Sequence, residues 1–104
     1  MYVTELLSWQ ARPEISDEQM TETMAAMLPD LKNLPGFLFQ TLSKDSKGHW
    51  IAVYFWKTAE SAHASNTLMA DKTSMVQLMQ LLIPETIVME VMEPLQDSGD
   101  PFIS

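Results

Sequence analysis

The densest apolar run in the chain, Trp50-Ile51-Ala52-Val53-Tyr54-Phe55-Trp56, is made almost wholly of β-branched and aromatic residues, and neither Gly nor Pro interrupts it. Such a run predicts a buried strand from about His49 to Trp56. A second strand is expected at residues 2–10, which Arg12-Pro13 closes, and another at Phe37–Ser43, between Pro35-Gly36 and the polar hairpin loop Asp45-Ser46-Lys47-Gly48. Residues Ile87–Met92 complete a set of four.

Two helical stretches separate these strands. Ser16 with Gln19 three residues later is the spacing of a capping box, and Asp17 and Glu18 suit the positive end of a helix dipole. Met20, Met24, Met27 or Leu28, and Leu31 then repeat at three-and-four spacing, with a break near Leu28 forced by Pro29. Thr58 caps a second helix from about Ala59, which pauses near Asp71 and resumes over Ser74–Leu82 before Pro84 stops it.

The order βαββαβ predicts an α+β, ferredoxin-like domain over residues 1–94, in which right-handed crossovers place both helices on one face of a four-stranded antiparallel sheet. Residues 95–104 form a polar, acidic C-terminal tail with a late Phe102-Ile103 pair. On the third strand Ile51, Val53 and Phe55 alternate with Trp50, Ala52, Tyr54 and Trp56, so both faces are apolar; Ile87, Met89 and Val91 alternate with Val88 and Met92 in the same way. Two helices cannot cover both faces. The uncovered one is expected to pair with a second copy in a homodimer, the alternative being a tail that folds Phe102 and Ile103 back over the sheet of its own chain.

Composition narrows the partners. A formal charge of −8 argues against nucleic acid and anionic membrane surfaces. The chain has no cysteine, which removes disulfides and thiolate metal sites, and no apolar stretch of membrane-spanning length, so a cytoplasmic location is expected.

The run Leu34-Pro35-Gly36-Phe37, the strand end Tyr54-Phe55-Trp56-Lys57-Thr58 and the helix start Ala59-Glu60-Ser61-Ala62-His63 together resemble the antibiotic biosynthesis monooxygenase-like family over about residues 2–93. That resemblance implies a dimeric α/β barrel of ferredoxin-like subunits. Members of that family include cofactor-independent monooxygenases of electron-rich phenols or quinols and relatives that bind or degrade haem, and many others have no assigned activity. The haem branch fits poorly, because Ser65 stands where haem-degrading members carry Trp and the later part of the helix offers no histidine.

His63 and Asn66, three residues apart on the second helix, are the candidate catalytic pair: the imidazole would take a phenolic proton and the amide would hold the developing oxyanion. Tyr54, Trp56, Trp9 and Met69 are candidate substrate-binding residues, and small-molecule sites commonly combine such apolar walls with a few polar groups. Each also has a plain structural reading, His63 as a hydrogen-bonded structural residue and the aromatic residues as core. The opposing functional reading is a non-enzymatic, dimeric small-ligand-binding or stress-related module. No cofactor is expected. No metal is expected either, because His49 and His63 have no carboxylate set at ligand spacing. Hydrolase chemistry has no support, since no Gly-x-Ser-x-Gly turn occurs.

Overall fold

A computed structural model describes residues 2–99 of the chain. The strands are β1 (Val3–Trp9), β2 (Phe37–Lys44), β3 (Trp50–Trp56) and β4 (Val88–Met92), and the helices α1 (Asp17–Ala26), α2 (Leu28–Lys32), α3 (Ala59–Met69) and α4 (Thr73–Met79). The strands form one antiparallel sheet in the order β2-β3-β1-β4. Each helical connection therefore crosses over one strand, α1–α2 over β3 and α3–α4 over β1, as the sequence order predicts for a ferredoxin-like domain.

The predicted local signals operate as their chemistry requires. The Ser16 hydroxyl accepts from the Gln19 amide at 3.1 Å, while the Gln19 side chain accepts from the Ser16 amide at 2.8 Å. Pro29 divides the first helical stretch at Met27, and the stripe Met20, Met24, Met27 and Leu31 is buried along both pieces. The Thr58 hydroxyl accepts from the Ser61 amide at 3.0 Å and starts α3. Asp30 of α2 accepts from the Ser74 hydroxyl at 2.6 Å, which ties the first helical layer to the start of α4.

One boundary differs from the sequence reading. The helix expected to run to Leu82 stops at Met79, and residues 80–83 turn to run beside the chain that follows β1. The Arg12 amide donates to the Leu81 carbonyl and the Ile83 amide to the Gln10 carbonyl, both at 2.9 Å, and Ala11 and Leu82 form a bridge. Pro84 forces Ile83 into an extended conformation, so these backbone groups find cross-chain partners in place of helical ones. A short 3-10 turn, Pro84–Thr86, then leads into β4, which starts at Val88.

The core lies between the helices and one face of the sheet. Trp50, Ala52, Tyr54 and Trp56 of β3, Val3 and Trp9 of β1, Ala62 and Met69 of α3, and Leu78 of α4 are all buried there. On the opposite face Leu6, Ile51, Val53 and Phe55 are half-buried, while Phe39, Val88 and Met92 are exposed. Register places Phe39 beside Phe55 and Leu6 beside Val53, so an apolar stripe runs over β2, β3 and β1, with Thr4, Thr41 and Ser8 among its neighbours; on β4 Val88 and Met92 flank Glu90, which stands opposite Leu6. Beyond β4, Leu95 is fully exposed; the Phe102-Ile103 pair lies outside the described residues.

Candidate functional site

Strand alternation sends Glu5, Leu7 and Trp9 of β1 toward the helices, on the face that also carries Tyr54 and Trp56 of the neighbouring β3. Between these residues and α1–α4 lies a cavity of about 170 Å³. Its wall is largely apolar, with Met27, Leu31, Met69, Leu78 and Leu82 among the lining side chains, and Met75, Met79 and Met89 toward its open side. Thioether side chains can reshape around different ligands at small cost, which suits an adaptable binding site.

Glu5 is the one carboxylate on this wall, and only 4% of its surface is exposed. Its Oε1 accepts from the indole Nε1 of Trp56 at 3.0 Å, while its Oε2 is buried without a partner. Burial raises its pKa above the ordinary carboxylate value, and this outweighs the opposing effects of the Trp56 hydrogen bond and of His63. The same carboxyl acts on its neighbour: burial and the Glu5 charge together push the Tyr54 phenol well above its usual range.

Four of the residues singled out in the sequence as substrate-binding, Trp9, Tyr54, Trp56 and Met69, line the cavity, and so does Asn66. His63 does not. The buried stripe of α3 is Ala62, Ser65 and Met69, and His63 sits one residue, about 100° of helix rotation, beyond Ala62. It is solvent-exposed and reaches the site only through its electrostatic influence on Glu5. Ser65 occupies the inward position, its hydroxyl bound to the Ala62 carbonyl at 2.6 Å.

Glu5 escaped the sequence reading because it stands in a strand whose neighbours Thr4 and Ser8 are polar, so a carboxylate there reads as solvated. The available signal was its parity with Val3, Leu7 and Trp9, which assigns it to the inward face.

A second cluster sits at the hairpin end of the sheet. The Asp45 carboxylate accepts from the His49 amide at 2.8 Å and the Lys47 amide at 2.9 Å, and lies 3.2 Å from His49 Nδ1; these bonds, the His49 amide foremost, hold it below the ordinary carboxylate range. His49 Nε2 lies 3.1 Å from the Gln10 side-chain amide, so both ring nitrogens have partners. Among the described residues no three His, Asp or Glu side chains gather as a metal site would require.

No protein-family model matches the chain, and no curated protein matches it in sequence. Solved structures do match in three dimensions. A candidate antibiotic biosynthesis monooxygenase from Bordetella bronchiseptica superposes with a TM-score of 0.78 at 13% identity, over 91% of this chain and 98% of the other. SnoaB, a cofactor-independent oxygenase from Streptomyces nogalater, superposes with a TM-score of 0.73 at 12% identity, over 95% and 98%. A protein of unknown function from Nitrosomonas europaea gives a TM-score of 0.72 at 14% identity, over 95% and 94%. At these identities the likeness is one of fold, and the chain shares the ferredoxin-like fold of antibiotic biosynthesis monooxygenase-like proteins along nearly its whole length.

Proposed function

We propose that the protein is a cofactor-independent oxygenase of small phenol- or quinol-type aromatics, working as a homodimer. The observation that carries this reading is the Glu5 carboxyl, buried on the wall of an apolar cavity with one oxygen held by Trp56 and the other without a partner. A carboxylate in that setting has a raised pKa and makes a competent proton acceptor toward a weakly acidic hydroxyl. Asn66, on the same wall, can donate its side-chain N–H to the phenolate oxygen as charge develops there. The role first considered for His63 as base passes to Glu5, while His63 acts on that carboxyl from the solvent side of α3.

The chemistry balances without a redox cofactor. Loss of the hydroxyl proton to Glu5 leaves an electron-rich anion that O₂ can attack; one oxygen atom enters the ring, and the other leaves as water at the expense of two substrate electrons. Fold likeness to a cofactor-independent oxygenase supports the reading. The dimer is supported by the apolar stripe on the helix-free face, which a second copy related by a twofold axis would cover.

Oxygen uptake on a panel of phenols and quinols tests the proposal, with ¹⁸O₂ used to count the atoms incorporated. One labelled atom per product is expected, together with a loss of about 100-fold or more in kcat for Glu5→Gln and a smaller loss for Asn66→Ala. Saturable binding with no uptake on any compound would retire the enzyme and leave a small-ligand-binding dimer, the reading that the largely apolar wall would then favour.

A further inference from the structure

Two buried side-chain polar atoms among the described residues have no hydrogen-bond partner, Glu5 Oε2 and Trp9 Nε1. Both residues line the same cavity. Buried polar groups in folded proteins are almost always paired, so a coincidence of two orphans on one cavity wall points to a ligand that completes them. Two other polar groups of the wall are already engaged, Glu5 Oε1 by Trp56 Nε1 and the Ser65 hydroxyl by the Ala62 carbonyl.

The two orphans differ in kind and in place. Indole N–H can only donate, so Trp9 calls for an acceptor, whereas a carboxylate oxygen calls for a donor. Glu5 and Trp9 are four residues apart on β1, which separates their Cα atoms by about 13 Å. Register puts Trp56 opposite Val3 and Trp50 opposite Trp9, so the bond from Trp56 holds the Glu5 carboxyl on the side away from Trp9. A single ligand atom cannot serve both groups. The cavity, about 170 Å³, is close to the roughly 150 Å³ that admits one benzene ring.

We propose that the cavity takes an uncharged, single-ring aromatic with a hydroxyl at one end and a carbonyl oxygen at the other, the hydroxyl bound by Glu5 Oε2 and the carbonyl by Trp9 Nε1. This rests on the cavity being the ligand site of the proposed function and adds what that ligand must carry. Tyr54, Trp56 and Met69 supply flat and polarizable walls for the ring. A carboxylate-bearing ligand is rejected, because it would bring a second negative charge into a largely apolar cavity beside Glu5.

The test is calorimetric titration of the protein at about pH 6 with four compounds of one size class: 4-hydroxyacetophenone, 4-methoxyacetophenone, 4-ethylphenol and 4-hydroxybenzoate. The hydroxy ketone is expected to bind about tenfold or more tightly than either the methyl ether, which lacks the donor, or the ethyl compound, which lacks the acceptor. The benzoate is expected to show no binding in the same range. Trp9→Phe should erase only the preference for ketone over ethyl. Glu5→Gln, which turns the free end of the side chain into a donor, should erase only the preference for hydroxyl over methoxy.

Equal affinity for the three neutral compounds, or no binding of any, overturns the inference on the native protein alone, whether or not the variants fold. Oxygen uptake measured on the same samples separates the two readings. The binding pattern without uptake keeps the two anchors and removes the oxygenase; uptake on phenols without the pattern keeps the oxygenase and removes the anchors.

Discussion

The indole of Trp56 donates to the carboxyl of Glu5 at 3.0 Å, joining residues 51 positions apart in the chain across the central strand pair of the sheet. It brings a buried carboxyl, a fully buried aromatic residue and the wall of the cavity into one contact.

Glu5 makes stability depend on pH in a defined direction. Its pKa is raised in the folded protein, chiefly by burial, so the folded state is not penalised below the unfolded value of 4.5 and loses stability as pH rises through the folded pKa. Glu5→Gln lacks this titration. Urea midpoints of the two proteins should lie close together in acid, and the variant should gain steadily on the native protein toward neutrality. Because His63 lowers the Glu5 pKa, the divergence in a His63→Ala background should start at the same pH but continue to higher pH and grow larger. A constant difference between Glu5→Gln and native protein across the range would show that the carboxyl titrates normally.

Trp56→Phe removes the only hydrogen bond to the Glu5 carboxyl seen among the described residues, and some of the aromatic packing against Phe37 and Tyr54. A cost of about 2–4 kcal/mol is expected, combining an unpaired buried acceptor with lost volume. In Glu5→Leu the same substitution should cost distinctly less, and the difference, read from a double-mutant cycle by chemical denaturation, measures the coupling. Equal costs in both backgrounds would mean that the bond contributes nothing.

Gly36 and Gly48 both adopt positive φ, at 79° and 86°, but their surroundings differ. A Cβ on Gly36 would run into the Ser61 side chain, its Oγ first and its Cβ at 2.8 Å, where the start of β2 meets the start of α3 and the Lys57 amide donates to the Gly36 carbonyl at 2.8 Å. A Cβ on Gly48 would meet nothing nearer than 4.0 Å. Gly48→Ala is therefore expected to cost only the backbone strain, about 1 kcal/mol, and Gly36→Ala about 2–4 kcal/mol. Thermal melts of the two variants decide this, and similar shifts would remove the steric part of the argument.

Phe55 lies at the centre of the apolar stripe on the helix-free face, between Thr4 and Phe39. Phe55→Glu should halve the mass measured by light scattering while leaving the far-ultraviolet circular dichroism of the fold in place. A native protein that already runs as a monomer would leave that stripe without the partner proposed for it.

Much of this architecture was legible in the chain because its signals are local. The Ser16–Gln19 capping box, the Pro29 break, the Thr58 cap and the alternation of Trp50–Trp56 depend on neighbours within a few residues, and each operates where the sequence places it. The end of α4 was not legible. It is decided by hydrogen bonds from Arg12 and Ile83 that join chain segments some seventy residues apart, as the Arg12 side chain does in reaching the Gln80 carbonyl.

The candidate site divides along the same line. Trp9, Tyr54, Trp56, Asn66 and Met69 stood out by residue type and spacing, and the fold brings all five to one cavity. That His63 faces solvent while Ser65 faces the sheet depends on how α3 is rotated, which the packing of Ala62 and Met69 decides. That Glu5 is the buried carboxyl depends on β3 and β4 pairing on either side of β1 and on the helices closing over it. Patterning of the chain determines which residues can be inside; only the packed tertiary structure determines which polar atoms are left there without partners, because pairing is a property of groups brought together from distant parts of the sequence.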